Sequence, residues 1–281
     1  MAISTAAIAV AALGSKPNIL LVNPDDMLSA YGAGWPAATA PPATSFTAAT
    51  GLTPHFDRII NEGATFTRAY SASGMCSPAR AALLSGRYPS RNAYAESMTS
   101  AQLGSGVRTK VTVPWSFLTG TEIANNVAAT LRSCAYTTGA VGKWHLTPGS
   151  ESGGEYSTST YATQQASVKS RGFDYADGIY IGNMNTCTSS VCGSFTHNNE
   201  WLTLTAARFM SDALAVSTPF FLYYNPTVPH SPLSKLILSD GVCSDGTTVS
   251  IHHFLYAHDD VMYTRFFLYS TILLLVKTDD M

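Results

Sequence analysis

Cys76 and Arg80 are the residue pair in this sequence with the clearest chemical potential. Pro78 follows two positions after Cys76, and the run from Ala79 to Ser85 consists mainly of good helix formers, so Cys76 is predicted to begin a short helix. The N–H groups and dipole at such an end favour an anion, and Arg80 lies one turn further along the same face. Two interpretations follow: an activated cysteine nucleophile beside an anion site, or a buried structural cysteine with a surface arginine.

Two pairs of adjacent acidic residues are candidate metal ligands. Asp25 and Asp26 follow the apolar run NILLV, and Asp279 and Asp280 follow the run ILLLV shortly before the last residue. Carboxylate oxygens suit hard cations such as Ca²⁺ or Mg²⁺. For either pair alone, a turn or a helix cap is the simpler interpretation. At one edge of a sheet, however, four carboxylates would repel one another unless a cation lay between them.

Lys143, His145 and His230 are candidates for binding and protonating an anionic substrate. Lys143 and His145 are two positions apart, so on an extended segment both side chains would point to the same side. Lysine supplies a point charge for an anionic oxygen, and histidine exchanges protons near neutral pH. His230 lies between prolines 229 and 232, in a stiff, non-helical segment. A surface or structural role is the alternative for each histidine taken alone.

The candidate groups share a position, because each follows a short apolar segment that is typical of a buried strand. Such strands are predicted at residues 18–22, 136–141, 219–224 and 272–276. Helices are predicted between them at 125–133 and 201–216, and a Gly/Ser/Thr-rich loop at 149–170. This alternation predicts an α/β fold with a mostly parallel central sheet and helices on both faces. Because parallel strands end at one edge, we expect the polar groups to meet there.

Composition excludes several classes of function. The 281 residues carry a formal net charge of -2, and this lack of basic excess argues against a nucleic-acid partner. The most apolar run, residues 266–276, is far shorter than the ~20 residues of a membrane-spanning helix, so no membrane span is expected. The length suits one large α/β domain or two small ones, and a hydrophobic content of 46% allows a sizeable core. Residues 1–15 are expected to be a signal peptide or a leader remnant.

The cysteines bear on the compartment. There are five, and Cys187 and Cys192 enclose four residues, which is short enough for a local disulfide if the backbone turns back. Together with the leader, this pair favours secretion, the secretory pathway or an organelle lumen.

The segment around Cys76 resembles the signature of the sulfatase family. Its sequence, CSPARAALLSGR over residues 76–87, keeps the family frame Cys-x-Pro-x-Arg with a following Ser-Gly-Arg, and departs from the family at Ala79, where serine is usual. Further blocks are similar to the family and occur in its order: KPNILLV before Asp25-Asp26, TPHFD at 53–57, GATF at 63–66, GKWHL at 142–146, GFD at 172–174 and PHSP at 229–232. The resemblance covers residues 16–233 and fades after them.

This resemblance implies a catalytic domain over residues 16–281 with the alkaline-phosphatase-like α/β fold of sulfatases, here without their smaller C-terminal subdomain. It implies that a separate maturation enzyme oxidises Cys76 to Cα-formylglycine, whose hydrate attacks the sulfur of a sulfated small molecule or glycan. In the family's pattern Arg80 holds the hydrate, Lys143 binds a sulfate oxygen and His145 helps to deprotonate the hydrate. His230 contacts the sulfate or protonates the leaving oxygen.

The resemblance also implies a divalent cation, Ca²⁺ rather than Mg²⁺, bound by Asp25, Asp26, matured Cys76, Asp279 and Asp280. Two alternatives remain open. One is a phosphate or phosphonate monoester hydrolase of the same superfamily. The other is an inactive sulfatase-like fragment, because the C-terminal part that is usual in the family is expected to be missing.

Overall fold

The computed structural model describes residues 16–25, 59, 63–66, 69–89, 126–146, 158–180, 191 and 198–227, together with the backbone of 263–268 and 271–276. The strands in these residues are β1 Asn18–Val22, β2 Ala64–Thr65, β3 Thr137–Lys143, β4 Tyr175–Tyr180, β5 Phe220–Asn225, β6 Tyr263–Leu268 and β7 Thr271–Val276. The helices are α1 Cys76–Ser85, α2 Val127–Ser133, α3 Thr158–Lys169 and α4 Asn198–Ala215. None of these described helices has the length and apolar character needed to cross a membrane.

The described strands form one sheet in the order β2-β6-β7-β1-β5-β3-β4. Its centre is parallel: Phe221 of β5 lies opposite Ile19 of β1 on one side and Thr138 of β3 on the other. Parallel neighbours need crossover connections, and helices α1 to α4 lie in those connections. The predicted α/β fold with a mostly parallel sheet is therefore confirmed. The C-terminal ends of β1, β3 and β5 lie at one edge, which we call the site edge.

Strand β7 corrects one expectation. It pairs antiparallel with β1, so that Val276 lies opposite Asn18 and Ile272 opposite Val22. The reason is the hairpin formed with β6, whose two-residue connection reverses the chain. The end of β7 consequently lies at the opposite edge of the sheet, about 13 Å from the site edge along the four residue steps of β1. The expectation that this strand ends at the site edge is therefore wrong, and Asp279 and Asp280 themselves lie outside the described residues.

One face of the sheet is covered by α4. Phe220 of β5 packs edge-on against Phe209 of this helix, with ring centroids 6.0 Å apart. Four residues further along β5, the Tyr224 hydroxyl lies 3.4 Å from the hydroxyl of Thr203, which is six residues before Phe209 in α4. Because alternate residues of a strand point to opposite faces, Phe220 and Tyr224 mark the same face.

The other face carries α1 and the segment before β4. Phe173 stacks on both Phe221 and Tyr223, with ring centroids 6.5 Å and 6.4 Å apart. Asn225, the next residue of β5 on this face, accepts a hydrogen bond from Arg80 of α1. Helices therefore cover both faces, as predicted, and α1 lies over the site edge.

Helix α3 corrects the prediction of a loop at 149–170. Its many Ser and Thr residues have weak helix propensity, and this composition suggested a loop. Contacts with β4 outweigh that preference. The Tyr161 hydroxyl donates to Asp177 at 2.5 Å, the Gln165 amide donates to the Ala176 carbonyl at 2.8 Å, and Val168 is fully buried.

Gly142 allows β3 to approach β5 at the site edge. Its φ is +98°, a backbone conformation that favours glycine, and it lies where the register between β3 and β4 shifts. A Cβ atom at this position would overlap the carbonyl oxygen of Asn225. The glycine therefore sets the path of the chain immediately before Lys143.

We predict that Gly142→Ala destabilises the protein more than Gly86→Ala. Both glycines have positive φ, +98° and +70°, and this conformation costs another residue about 1–2 kcal/mol of unfolding free energy. At Gly86 an added Cβ meets no atom within 4 Å, whereas at Gly142 it overlaps backbone. Urea unfolding should show a loss for Gly142→Ala that exceeds the loss for Gly86→Ala by at least about 1 kcal/mol. Equal losses would contradict the close approach of β3 and β5.

Candidate active site

Cys76 is the first residue of α1, as the sequence predicts. The residue before it, Met75, is extended and its side chain provides no capping hydrogen bond. The Met75 N–H donates to the Ser73 hydroxyl at 3.1 Å, and this bond fixes the chain as it enters the helix. Cys76 is half-buried and is not part of a disulfide. The thiol therefore lies at the positive end of the helix dipole, where negative charge is favoured.

Arg80 points into the protein rather than to solvent. Only 2% of it is exposed, so the surface-arginine interpretation is excluded. Its Nη1 donates to the Lys143 carbonyl oxygen at 2.9 Å and to Asn225 Oδ1 at 2.8 Å, while Nη2 lies 3.3 Å from Asp25 Oδ1. One side chain of α1 thus contacts the ends of β3 and β5 and the segment after β1.

Asp25 lies between two cations. Lys143 Nζ donates to Asp25 Oδ2 at 2.5 Å, and Arg80 pairs with the other carboxylate oxygen. The Asp25 N–H donates to the Pro226 carbonyl at 3.1 Å, which ties the segments after β1 and β5 together. We call Asp25, Arg80 and Lys143 the charge cluster. All three residues are buried, and their pairing offsets the free-energy cost of removing the charges from water. Their formal charges sum to +1.

The surroundings keep Arg80 charged. Burial is the largest single influence and lowers the pKa of Arg80, but the Coulombic influences of Tyr223, Asp25, Tyr180 and Cys76 together outweigh it and raise this pKa above its usual value. Burial likewise raises the pKa of Tyr223, and the neighbouring guanidinium opposes that rise. A neutral phenol and a permanent guanidinium are therefore the stable forms at physiological pH.

Two asparagines of the site were not predicted from the sequence. Asn225 Oδ1 accepts from Arg80 and also from Asn23 Nδ2 at 3.0 Å. Both asparagines are polar residues directly after or at the end of a buried strand, as are the residues that were predicted. This position at a strand end could have indicated both residues. Asparagine, however, has neither a charge nor a titratable proton, so its residue type gave no reason to predict it as a site residue.

His145 follows Lys143 in an unusual conformation. It is buried and has a φ of +55°, which a residue with a side chain adopts at a cost. The segment is held by Trp144, whose N–H donates to the Tyr180 carbonyl at 2.8 Å and whose ring packs edge-on against Phe173. The expectation that Lys143 and His145 share an extended segment is therefore wrong at His145. The fold nevertheless places both residues at the site edge.

Several predicted residues lie outside the described part of the chain: Asp26, His230, Asp279, Asp280, Cys187 and Cys192. Of the predicted site residues that are described, the structure brings Asp25, Arg80 and Lys143 into direct contact. Cys76 is one helical turn from Arg80, and His145 is two residues from Lys143.

The described residues alone do not fit a divalent cation. No group of three or more His, Cys, Asp or Glu side chains that could hold a metal occurs among them. Ca²⁺ takes about six to eight oxygen ligands, and the charge cluster offers one carboxylate whose two oxygens already bind Lys143 and Arg80.

We predict that Asp25→Asn strongly destabilises the fold. The substitution leaves two buried cations without their carboxylate, and breaking a buried pair in this way costs about 3–5 kcal/mol of unfolding free energy. Arg132→Met is the control, because it removes an exposed ion pair with Asp174 and should cost at most about 1 kcal/mol. Adding Lys143→Met to Asp25→Asn should restore part of the loss in urea unfolding. Similar losses for Asp25→Asn and Arg132→Met would refute the role of the charge cluster.

Comparison with known proteins identifies the family. The family model described as Sulfatase matches residues 17–255. Steryl-sulfatase of Rattus norvegicus is 36% identical over 139 residues, which are 47% of this chain and 20% of that protein. N-acetylgalactosamine-6-O-sulfatase of Bacteroides thetaiotaomicron is 33% identical over 164 residues, 57% of this chain and 26% of that protein. The crystal structure of Ps i-CgsB is similar with a TM-score of 0.46 and 25% identity, over 77% of this chain and 46% of that one.

The matched segments thus span about a fifth to a quarter of the length of these curated relatives. Because the family model matches well over half of the sequence, the chain belongs to the sulfatase family.

Proposed function

We propose that this protein hydrolyses a sulfate monoester, converting ester and water to an alcohol and inorganic sulfate. The observation that carries the proposal is the charge cluster beside the Cys76 end of α1. It is buried, it carries a formal charge of +1, and it lies at the edge where α/β folds bind their ligands. The relatives carry names of enzymes that hydrolyse sulfate esters, and this supports the same class of reaction here.

Cys76 is the proposed nucleophile position, after a maturation enzyme has oxidised it to formylglycine. The hydrated aldehyde would supply an attacking hydroxyl and a second hydroxyl on the same carbon, which serine lacks. The half-exposed first position of α1 suits this role, because it leaves the residue accessible while the helix end favours developing negative charge. Arg80, one turn away and fixed by three contacts, would hold residue 76 in place.

Lys143 and His145 are proposed to act on the sulfate and the nucleophile. Lys143 would bind a sulfate oxygen as a point charge, with Asp25 setting the position of its ammonium group. His145 would take the proton from the nucleophile, and its left-handed backbone fixes the direction from which the imidazole approaches. His230 stays the proposed contact to the sulfate or the donor to the leaving oxygen.

A divalent cation, Ca²⁺ in preference to Mg²⁺, belongs to the same proposal through the family. It would neutralise charge on sulfate oxygens and on the nucleophile. Asp25 with Asp26 and matured Cys76 remain its proposed ligands, whereas Asp279 and Asp280 follow β7, which ends at the opposite edge of the sheet, and are no longer proposed as ligands. A sulfated small molecule or glycan as substrate and a secreted or lumenal compartment likewise remain proposals.

The first test concerns Cys76 and the ester. After co-expression with a maturation enzyme, peptide mass across residue 76 should show formylglycine, and an aryl sulfate should be hydrolysed in preference to the matched aryl phosphate. Cys76→Ala should be inactive because it has no group to attack sulfur. Full aryl sulfatase activity in Cys76→Ser would rule out the proposed nucleophile, and preference for the phosphate would rule out the proposed substrate class.

The second test concerns His145. We choose His145→Asn because asparagine tolerates a positive φ, so the backbone can keep its conformation while the proton-exchanging group is lost. A general acid–base group is worth ~10²–10⁴-fold in rate, and kcat for an activated aryl sulfate should therefore fall at least ~10²-fold. Thermal unfolding should be nearly unchanged, which separates catalysis from stability. A kcat within tenfold of the parent would remove the base role from His145.

A further inference from the structure

Asn225 makes more contacts at the site edge than its neutral side chain suggests. Its Oδ1 accepts from Arg80 Nη1 at 2.8 Å and from Asn23 Nδ2 at 3.0 Å, while its own Nδ2 lies 3.4 Å from the Tyr223 carbonyl oxygen. Two donors on one end and an acceptor on the other determine which way the amide faces. The residue is 2% exposed, so these contacts are made away from bulk water, where each is hard to replace.

The backbone of Asn225 is fixed as firmly as its side chain. It lies opposite Gly142 in the parallel pairing of β3 and β5, and the two chains approach so closely that no side chain fits at Gly142. Asn225 is therefore a rigid acceptor. The Lys143 carbonyl accepts from the same Nη1 of Arg80, and Nη2 of that guanidinium lies 3.3 Å from the Asp25 carboxylate.

The contacts of Arg80 have two different effects: the ion pair with Asp25 balances its charge, and the hydrogen bonds of Nη1 fix its orientation. Asp25 pairs with both Arg80 and Lys143, so its attraction alone does not select one rotation of the guanidinium. Hydrogen bonds from a single nitrogen, Nη1, to Asn225 and to the Lys143 carbonyl do select one, because they fix that nitrogen between two rigid acceptors.

We propose that Asn225 is a positioning residue for the reaction and acts through Arg80. It holds the guanidinium in the single orientation in which Nη2 faces Asp25, one helical turn from residue 76. This inference rests on the proposed function, in which Arg80 holds the nucleophile. Misplacing a group by about 1 Å can cost ~10²-fold in rate, so the loss of one rigid acceptor should be visible in kcat.

The experiment compares Asn225→Leu, Asn225→Asp and a matched control, Asn18→Leu, in the full chain. Asn18 is equally buried in the paired strand β1, and its Oδ1 accepts from the Phe220 N–H at 3.0 Å at the opposite edge of the sheet. Each variant is measured for urea unfolding and for kcat and KM with an aryl sulfate, per folded, matured enzyme. Asn225→Leu is also combined with Arg80→Lys to form a double-mutant cycle.

We expect Asn225→Leu to lower kcat ~10- to 100-fold with KM nearly unchanged. Asn225→Asp, which keeps an acceptor oxygen, should recover most of that loss, and Asn18→Leu should lose stability but keep kcat. In the Arg80→Lys background the effect of Asn225→Leu should largely disappear. Additive losses in the cycle, or an equal fall in kcat for Asn18→Leu, would overturn the inference.

The unfolding measurements separate this inference from the proposed function. If the parent enzyme hydrolysed no sulfate ester, the proposed function would fail. The urea cycle would still decide whether Asn225 and Arg80 are coupled: non-additive losses in unfolding free energy would support the positioning contact, and additive losses would overturn it.

Discussion

The carboxylate of Asp25 is the group on which the rest of the site depends. It joins the segment after β1 to Arg80 of α1 and to Lys143 at the end of β3, three parts of the chain separated by up to 118 residues. Without a negative charge between them, the buried cations of Arg80 and Lys143 would repel each other, and this repulsion would displace α1 from the site edge. One buried anion therefore determines where α1 docks, and so where Cys76 lies.

The sheet makes this arrangement attainable. Because β1, β5 and β3 are parallel neighbours, Asp25, Asn225 and Lys143 arrive at one edge without any loop having to bring them together. Close approach is the remaining requirement, and Gly142 meets it by leaving space for the Asn225 carbonyl. Where the chain leaves this edge, Gly142 adopts a positive φ without steric cost, whereas His145 adopts one that is unfavourable for a residue with a side chain. Such conformations persist when surrounding contacts fix them, as Trp144 does here.

The sequence predicted what depends on local patterns. The strand at 18–22, the helix beginning at Cys76 and the shared edge of three strand ends are confirmed, because apolar runs and helix-start residues carry that information. Helix α3 was missed because contacts with Asp177 and Ala176 override the propensity of its residues. The predicted direction of β7 was wrong because an apolar run does not specify whether a strand is parallel or antiparallel to its neighbours. Only the pairing with β6 and β1 determines this. Asn225 was missed because its role depends on partners 145 and 202 residues away.

The charge of the cluster bears on which oxyanion the site accepts. Asp25 reduces the two positive charges of Arg80 and Lys143 to a net +1 among these described residues. A sulfate monoester brings one negative charge, whereas a phosphate monoester brings about 1.5 to 2 at pH 7. One negative charge on the ligand makes the cluster neutral, whereas a second negative charge leaves the complex with a net charge of -1. An uncompensated charge in a buried site costs several kcal/mol. Among the described residues, the carboxylate that docks the helix thus also leaves a charge that one negative charge balances, which agrees with the proposed sulfate monoester substrate.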